Sequence, residues 1–117
     1  MNATLEKPAI LELTPENFAK EVLQSDKLML VDFWGENCSF CRPMAVLIED
    51  LAAEFSGRVR FGKFKVGEHN QFVSQYPIMA LPTVLYFKNG EVVDQVVGLA
   101  PKKKLVAKIT EHLPGGV

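Results

Sequence analysis

The sequence predicts a single α/β domain, a central mixed β-sheet of about five strands flanked by about four helices. Its 117 residues are close to the usual size of one domain. Strand-like apolar runs and helix-like repeats follow one another in the order β-α-β-α-β-α-β-β-α, which is typical of α/β proteins. The dipeptide Asn89-Gly90 lies between two β-rich runs and predicts a hairpin, so part of the sheet should be antiparallel.

The first elements are predicted from local signals. An apolar run over 10–13 predicts a strand, and Thr14-Pro15 supplies a hydroxyl cap and a first-turn proline for a helix that reaches about Leu23. The run 28–34 is apolar except for Asp32. Nearly continuous apolar sequence is typical of a parallel strand covered on both faces, so this strand should be central.

A helix is predicted over 44–55, directly after the two cysteines. Its apolar residues recur at helical spacing, and Ser56-Gly57 is a typical helix end. The next strand should begin at Val59, because Val59, Phe61 and Lys63 alternate with other residues, and it makes a right-handed β-α-β crossover. Cys38 and Cys41 are therefore predicted at a strand-to-helix turn.

The second half of the chain contains the remaining elements. We predict a short helix within 67–76 that ends at Pro77, and a strand over 84–87. The hairpin then leads to a strand over 91–97, and a last helix follows Pro101 with an apolar stripe of Leu105, Val106, Ile109 and Leu113. One domain should span 1–117, with flexible tails at 1–8 and 114–117.

Composition and charge exclude several classes of function. The formal net charge is −1, so the chain lacks the basic surface typical of proteins that bind nucleic acid or anionic membranes. No apolar run approaches the roughly 20 residues that cross a bilayer, and the first eight residues lack the features of a secretory signal. We expect a cytoplasmic protein with protein or small-molecule partners.

The cysteine content narrows the chemistry. Cys38 and Cys41 are the only cysteines, which excludes a multi-disulfide scaffold and a four-cysteine zinc site. His69 and His112 lack the spacing found in zinc modules, and we interpret both as surface residues without a role. We expect no metal and no bound cofactor, only a redox-active Cys38–Cys41 disulfide.

Two cysteines separated by two residues at a helix start are suited to thiol chemistry. The unpaired N–H groups and the positive end of the helix dipole lower the pKa of the first thiol, whereas the second is buried more deeply. Functional crevices of open α/β sheets also lie beyond the carboxyl ends of the strands. The pattern indicates redox chemistry; the alternative is a pair of inert, structural cysteines.

The motif Val-Asp-Phe-Trp-Gly-Glu-Asn-Cys-Ser-Phe-Cys at 31–41, with Leu-Pro-Thr at 81–83 and Phe-Lys-Asn-Gly-Glu at 87–91, resembles thioredoxin. The resemblance extends from about Ile10 to Leu113. It implies the thioredoxin fold and a protein-disulfide oxidoreductase, which a flavoprotein resembling thioredoxin reductase would reduce again after each reaction. We expect the protein to be a monomer.

The resemblance also implies roles for individual residues. Cys38 matches the cysteine that attacks a substrate disulfide, and Cys41 matches the one that resolves the mixed disulfide. Asp32 matches a buried acid, whose pKa burial should raise until it accepts a proton from Cys41. Lys63 matches a lysine that modulates the titration of this acid, although an ordinary exposed strand lysine is an equal alternative.

The resemblance also implies substrate contacts in a segment that faces the cysteine pair. Pro82 matches a cis-proline, which would present the Leu81 backbone for pairing with an extended peptide. Apolar residues around the cysteines are candidates for a docking platform, although several could be simple core: Trp34, Phe40, Met79, Leu81, Gly98 and Leu99.

The chain departs from the family pattern at several positions. Asn37, Ser39-Phe40 and Val46 replace a tryptophan, Gly-Pro and a kink proline. We expect Asn37 to cap the helix and Pro43 to distort its first turns, so the redox potential should differ from that of a conventional thioredoxin. Two alternative functions stay open: a redox-sensing interaction module, and a disulfide isomerase or oxidant.

Overall fold

Five strands form one sheet in the computed structural model, which describes residues 10–113. The spatial order is β1-β3-β2-β4-β5. The strands are β1 (Ile10–Leu13), β2 (Leu28–Trp34), β3 (Val59–Lys65), β4 (Thr83–Lys88) and β5 (Glu91–Val97). β1, β3 and β2 are parallel, whereas β4 runs antiparallel to β2 and β5 antiparallel to β4. The predicted mixed sheet is confirmed; the tails predicted at 1–8 and 114–117 lie outside the described residues.

The first predicted helix is shorter than expected. Thr14 and Asn17 form a reciprocal cap, in which each backbone N–H donates to the other's side-chain oxygen, at 2.8 and 3.3 Å. Regular helix is confined to a π-helical turn, Ala19–Leu23, in which the N–H of Gln24 donates to the carbonyl of Ala19 at 3.0 Å. The wider turn still buries Val22 within the core.

Helix α1 (Cys41–Glu54) begins at the second cysteine, three residues before the start of the predicted stripe. The expected distortion at Pro43 is wrong. The first i→i−4 bond of the helix is donated by Met44 to Phe40 at 3.2 Å. Pro43 precedes that donor, so its missing N–H removes no helical hydrogen bond. Gly57, with a φ of 86°, follows the helix end.

The remaining elements match the predictions closely. Helix α2 (Asn70–Val73) is a short helix inside the predicted segment, and α3 (Lys102–His112) starts directly after Pro101. Asn89 and Gly90 both have positive φ, 52° and 82°, as a type I′ hairpin requires. The predicted antiparallel return of β5 is therefore confirmed.

The sheet separates two hydrophobic clusters. One cluster packs α1 and α3 against the sheet through buried residues that include Leu30, Met44, Ile48, Leu51, Phe61, Tyr86, Leu105 and Ile109. The other packs the π-helix and α2 against the opposite face, with Phe18, Val22, Phe33, Phe64, Val73 and Leu85. Over residues 10–113 the helices are all too short or too polar to cross a bilayer.

Candidate active site

A disulfide joins Cys38 and Cys41 where β2 leads into α1. Cys38 lies in the connecting loop and Cys41 is the first residue of the helix, with the two Cα atoms 5.4 Å apart. Cys41 is only 5% exposed, whereas Cys38 is half-buried. The two sulfurs therefore differ in accessibility, and a partner molecule reaches Cys38 more readily.

The loop before Cys38 has an unusual backbone. Asn37 has a φ of 61°, in the left-handed region that asparagine tolerates better than most residues. The predicted capping role of Asn37 is wrong, because the residue at the N-cap of α1 is Phe40, which makes no side-chain capping bond. Asn37 lies three residues before the N-cap position, so its side chain is not at the position that caps the helix.

The N-terminus of α1 favours negative charge on a nearby group. It has no side-chain cap, and its first turn contains no acidic residue. The Cys41 N–H donates to the Cys38 carbonyl at 3.1 Å and Pro43 has no N–H, so the free N–H of Arg42 and the helix dipole act on the adjacent sulfurs without competition from a carboxylate. When the disulfide is reduced, this environment stabilises a thiolate.

Asp32 is a buried acid on the strand that leads to the disulfide. Asp32 and Leu30 are two residues apart on β2, so their side chains point to the same face of the sheet. Leu30 packs in the cluster that contains α1, so Asp32 also faces the side that α1 covers. Asp32 is 3% exposed, and its Oδ1 atom accepts no hydrogen bond from residues 10–113. Burial raises its pKa to about 7, and the charge of Lys63 opposes that rise. The carboxyl group can therefore take up or release a proton near neutral pH.

Lys63 is directly opposite Asp32 in the register of β2 and β3. Lys63 is two residues after the buried Phe61 on β3, so both side chains point to the same face of the sheet. Phe61 packs in the cluster on the α1 side, which is the face that Asp32 also occupies. The lysine side chain is exposed, and it lines a cavity of about 340 Å³ beside the disulfide. The structure thus brings together the two charged residues that the resemblance implied.

Leu81 and Pro82 form the segment before β4. The predicted cis bond is present between them. The carbonyl of Pro82 accepts a hydrogen bond from the N–H of Gly98 at 2.7 Å, which joins this segment to the end of β5. Leu81 packs against Gly35, where an added Cβ atom would lie 3.0 Å from Cδ1 of Leu81. This contact connects the segment to the loop that carries Cys38.

Several predicted platform residues are exposed. Phe40 is 58% exposed, Met79 93% and Leu99 43%, an unusual exposure for large apolar side chains. Trp34 is half-buried and lines the cavity beside the disulfide. Apolar surface is therefore available in the segments that surround the cysteines.

The structure contains an ion pair beside Trp34 that the sequence did not indicate. Lys65 Nζ lies 2.7 Å from Oε2 of Glu36 and 5.7 Å from the centroid of the Trp34 ring. Lys65 pairs with Trp34 in the register of β2 and β3, which brings the lysine to the active-site loop. Glu36 and Lys65 are 29 residues apart, and no local pattern in the sequence indicates their contact.

The two histidines are less exposed than expected. His112 Nε2 lies 3.0 Å from Oδ2 of Asp94, whose other oxygen is 2.7 Å from Nζ of Lys108. Glu111 completes a group of three side chains with potential metal-ligand atoms within 4.8 Å of one another. His69 packs its ring against Phe64 at 5.7 Å. The surface interpretation of His112 is wrong, because its side chain joins β5 to α3.

Comparisons with known proteins agree with this geometry. A family model described as Thioredoxin matches residues 9–111. The chain is 43% identical over 102 residues to a thioredoxin of Chlorobaculum thiosulfatiphilum, covering 87% of this chain and 94% of that protein. It is 42% identical over 102 residues to thioredoxin 2 of Chlorobaculum tepidum, with the same coverage. Thioredoxin 1 of Nostoc sp. is 39% identical over 105 residues, which cover 90% of this chain and 98% of that protein.

These matches extend over both cysteines, the buried acid and the cis-proline segment. The Cys38–Cys41 disulfide lies between a central strand and the N-terminus of a helix. The protein is a thiol-disulfide oxidoreductase with the thioredoxin fold. The chain belongs to the thioredoxin family.

Proposed function

We propose that the chain reduces disulfides in protein substrates, with Cys38 as the attacking cysteine and Cys41 as the resolving cysteine. The observation that carries this assignment is the difference in exposure: Cys38 is half-buried, whereas Cys41 is 5% exposed at the first position of α1. A large substrate can approach the first sulfur and not the second. The uncapped helix end supports the same order, because it stabilises a thiolate at the accessible site.

The reaction begins when the Cys38 thiolate attacks one sulfur of the substrate disulfide. A bond forms between Cys38 and that sulfur, the substrate S–S bond breaks, and the leaving thiolate takes a proton from water. The Cys41 thiol then loses its proton, and its thiolate attacks the sulfur of Cys38. This step releases the second substrate thiol and forms the Cys38–Cys41 disulfide, so two electrons pass to the substrate.

Asp32 is the proposed acceptor of the Cys41 proton. Its burial, its place on the face covered by α1 and its pKa of about 7 support this role. Above that pH the carboxylate is available as a base. Lys63, opposite Asp32 in the sheet, is proposed to keep the pKa from rising further, since its charge favours the ionised acid.

Substrate binding is proposed along the segment that contains Leu81 and Pro82. An extended peptide can pair with the Leu81 backbone, in the manner of strand addition. Gly98 donates to the Pro82 carbonyl and so holds the end of β5 against this segment. Trp34 and Phe40 would supply apolar contacts on the side of the cysteines.

The oxidised protein needs a reductant to complete the cycle. We infer a flavoprotein that resembles thioredoxin reductase, in keeping with the family to which the chain belongs. We also propose that the protein acts as a monomer in the cytoplasm, where electron transfer of this kind contributes to redox homeostasis. Co-purification of a flavoprotein with a trapped cysteine variant would identify the reductant.

The test is reduction of insulin disulfides in the presence of a small dithiol. We expect a rate well above that of the dithiol alone, no enhancement with Cys38→Ser, and accumulation of a mixed disulfide with Cys41→Ser. A Cys38→Ser variant as active as the unmodified protein would contradict the assignment. Mixed disulfides without turnover in the unmodified protein would instead support the redox-sensing module.

A disulfide isomerase or oxidant is the second candidate, favoured by the uncapped N-terminus of α1. Stabilising the Cys38 thiolate stabilises the reduced form, and a more stable reduced form makes the disulfide a stronger oxidant. Equilibration with glutathione measures this property. We expect a potential more positive than about −270 mV, the value for thioredoxin. A value at or below that figure would support a conventional reductant.

A further inference from the structure

Arg42 is an exposed cation beside the redox disulfide. It is the second residue of α1, and its side chain lines two depressions that also contain Cys38. One is the cavity of about 340 Å³ that reaches Lys63, and the other is an open hollow formed with Asn37 and Ser39. Within residues 10–113 no carboxylate forms an ion pair with Arg42.

Helix stability does not explain an arginine at this position. A cation in the first turn of a helix opposes the helix dipole, and the first turn of α1 contains no acidic residue to balance it. The side chain is exposed and contributes little to the core. Its guanidinium group is therefore available to a molecule that approaches Cys38.

The other charges around the cavity leave a positive surface. Lys63 lines the same cavity, whereas its neighbour Asp32 is 3% exposed and does not line the cavity. The acidic side chain among the residues that line the cavity is Glu36, which Lys65 neutralises at 2.7 Å. Arg42 and Lys63 therefore dominate the field at the entrance to the disulfide.

We propose that Arg42 is a specificity-determining residue that favours protein disulfides flanked by aspartate or glutamate. The inference rests on the proposed attack by Cys38, since the substrate must approach the side of the disulfide that Arg42 lines. A carboxylate next to the substrate cysteine can accept two parallel hydrogen bonds from the guanidinium group. A positive cleft also raises the rate at which acidic segments arrive.

The experiment compares two synthetic peptides that differ only in the residues flanking one disulfide, aspartate in one and lysine in the other. The reduced protein is mixed with each peptide, and the second-order rate of disulfide exchange is measured at low ionic strength. We expect the aspartate peptide to react about fivefold faster, a modest effect for charge steering. In about 1 M salt, where charges are screened beyond about 3 Å, the two rates should converge.

Three variants assign the preference to its source. Arg42→Glu should invert the ratio of the two rates, and Lys65→Gln should lower the ratio because it leaves the charge of Glu36 uncompensated. Lys104→Glu makes the same change of charge at an exposed position of α3 and serves as the matched control. Its ratio should equal that of the unmodified protein.

Equal rates for the two peptides at low ionic strength would overturn the proposed preference, as would an unchanged ratio in Arg42→Glu. If the ratio of the two rates falls as far in Lys104→Glu as in Arg42→Glu, the preference reflects the overall charge of the protein, and the assignment to Arg42 is overturned. In these cases both peptides still react, so the proposed reduction of disulfides stands. Exchange with neither peptide contradicts that function, and the substrate preference with it.

Discussion

Asp32 shows how one residue takes its chemical character from its surroundings. An aspartate in water is ionised at pH 7, but this carboxyl is 3% exposed, lies between apolar neighbours on β2, and has one oxygen without a hydrogen-bond partner in the described part of the chain. Burial therefore raises its pKa from 3.8 to about 7, even though the charge of Lys63 acts in the opposite direction.

The raised pKa makes Asp32 a source of pH-dependent stability. The folded state binds the proton more tightly than the unfolded state, so the contribution is fully present below pH 3.8 and is lost as the pH rises through about 7. Asp32→Asn removes the buried charge. We expect the variant to be more stable than the unmodified protein by about 4 kcal/mol at pH 8, since each pKa unit corresponds to about 1.4 kcal/mol.

Urea denaturation at pH 8 and at pH 3.5 measures this effect. At pH 3.5 the acid is protonated in the folded state and mostly protonated in the unfolded state, so the advantage of Asp32→Asn should fall close to zero. Asp50→Asn, at an exposed position of α1, is the control and should change the stability by less than about 0.5 kcal/mol at either pH. An advantage that is the same at both pH values would contradict a buried, titrating carboxyl.

At the scale of elements, the β4–β5 hairpin depends on its turn. Asn89 and Gly90 both have positive φ, which brings β5 back antiparallel to β4. Gly90 is also close to the π-helix, because an added Cβ atom would lie 3.0 Å from the carbonyl oxygen of Leu23. Gly57, after α1, has a similar φ of 86° but open space at that point.

The two glycines allow backbone strain to be separated from steric contact. Gly57→Ala should destabilise the protein by about 1 kcal/mol, the cost of left-handed backbone for a residue with a Cβ atom. Gly90→Ala adds a tight contact, 3.0 Å from the carbonyl oxygen of Leu23, and we expect a loss of about 2–3 kcal/mol. Thermal unfolding of both variants measures the difference, and equal losses would show that the contact with Leu23 has no effect.

The helix that carries Cys41 was predicted better in its middle than at its start. Its apolar stripe indicates a helix from Met44, but regular structure begins at Cys41. Local sequence also suggested a cap at Asn37 and a distortion at Pro43. Both expectations depended on where the first helical turn begins, and the path of the chain between β2 and α1 determines that position.

At the scale of the whole molecule, the sheet is stabilised by packing on both faces. Phe18, 1% exposed, is central to the cluster beneath the π-helix, with ring centroids of Phe72, Phe87 and Phe64 within 5.1–5.9 Å. Phe40, in the active-site turn, is 58% exposed. Phe18 thus contributes to the core, whereas Phe40 contributes to the surface.

Because Phe18 is buried and Phe40 is exposed, the same substitution to alanine should lower stability at the first position and activity at the second. Phe18→Ala should destabilise the protein by about 3–5 kcal/mol, because it removes a buried ring and leaves a cavity. Phe40→Ala should change the stability by less than about 0.5 kcal/mol and instead slow the reduction of a protein substrate. Urea unfolding and insulin reduction measure the two effects; a large loss of stability in Phe40→Ala would show that its ring belongs to the core.

The sequence by itself determined the order of the elements, the hairpin and the position of the cysteine pair. These features follow from local patterns: continuous apolar runs, the Asn89-Gly90 turn, and two cysteines before an amphipathic repeat. Asp32 was recognisable because a single acid interrupts an apolar strand, and the family resemblance indicated Lys63 and Pro82.

The tertiary structure decided which distant charges meet. The Glu36–Lys65 pair, the contacts of Asp94 with Lys108 and His112, and the exposure of Arg42 beside Cys38 arise from strand register and helix packing. The ion pairs of Glu36 and Asp94 join residues far apart in the chain, so no periodicity or motif indicates them. Arg42 is close to Cys38 in the chain, but its exposure and its lack of an ion-pair partner within residues 10–113 depend on the tertiary structure. The sequence thus identifies the groups that carry out the chemistry, whereas the packing of the sheet and helices determines the charges and burial that surround them.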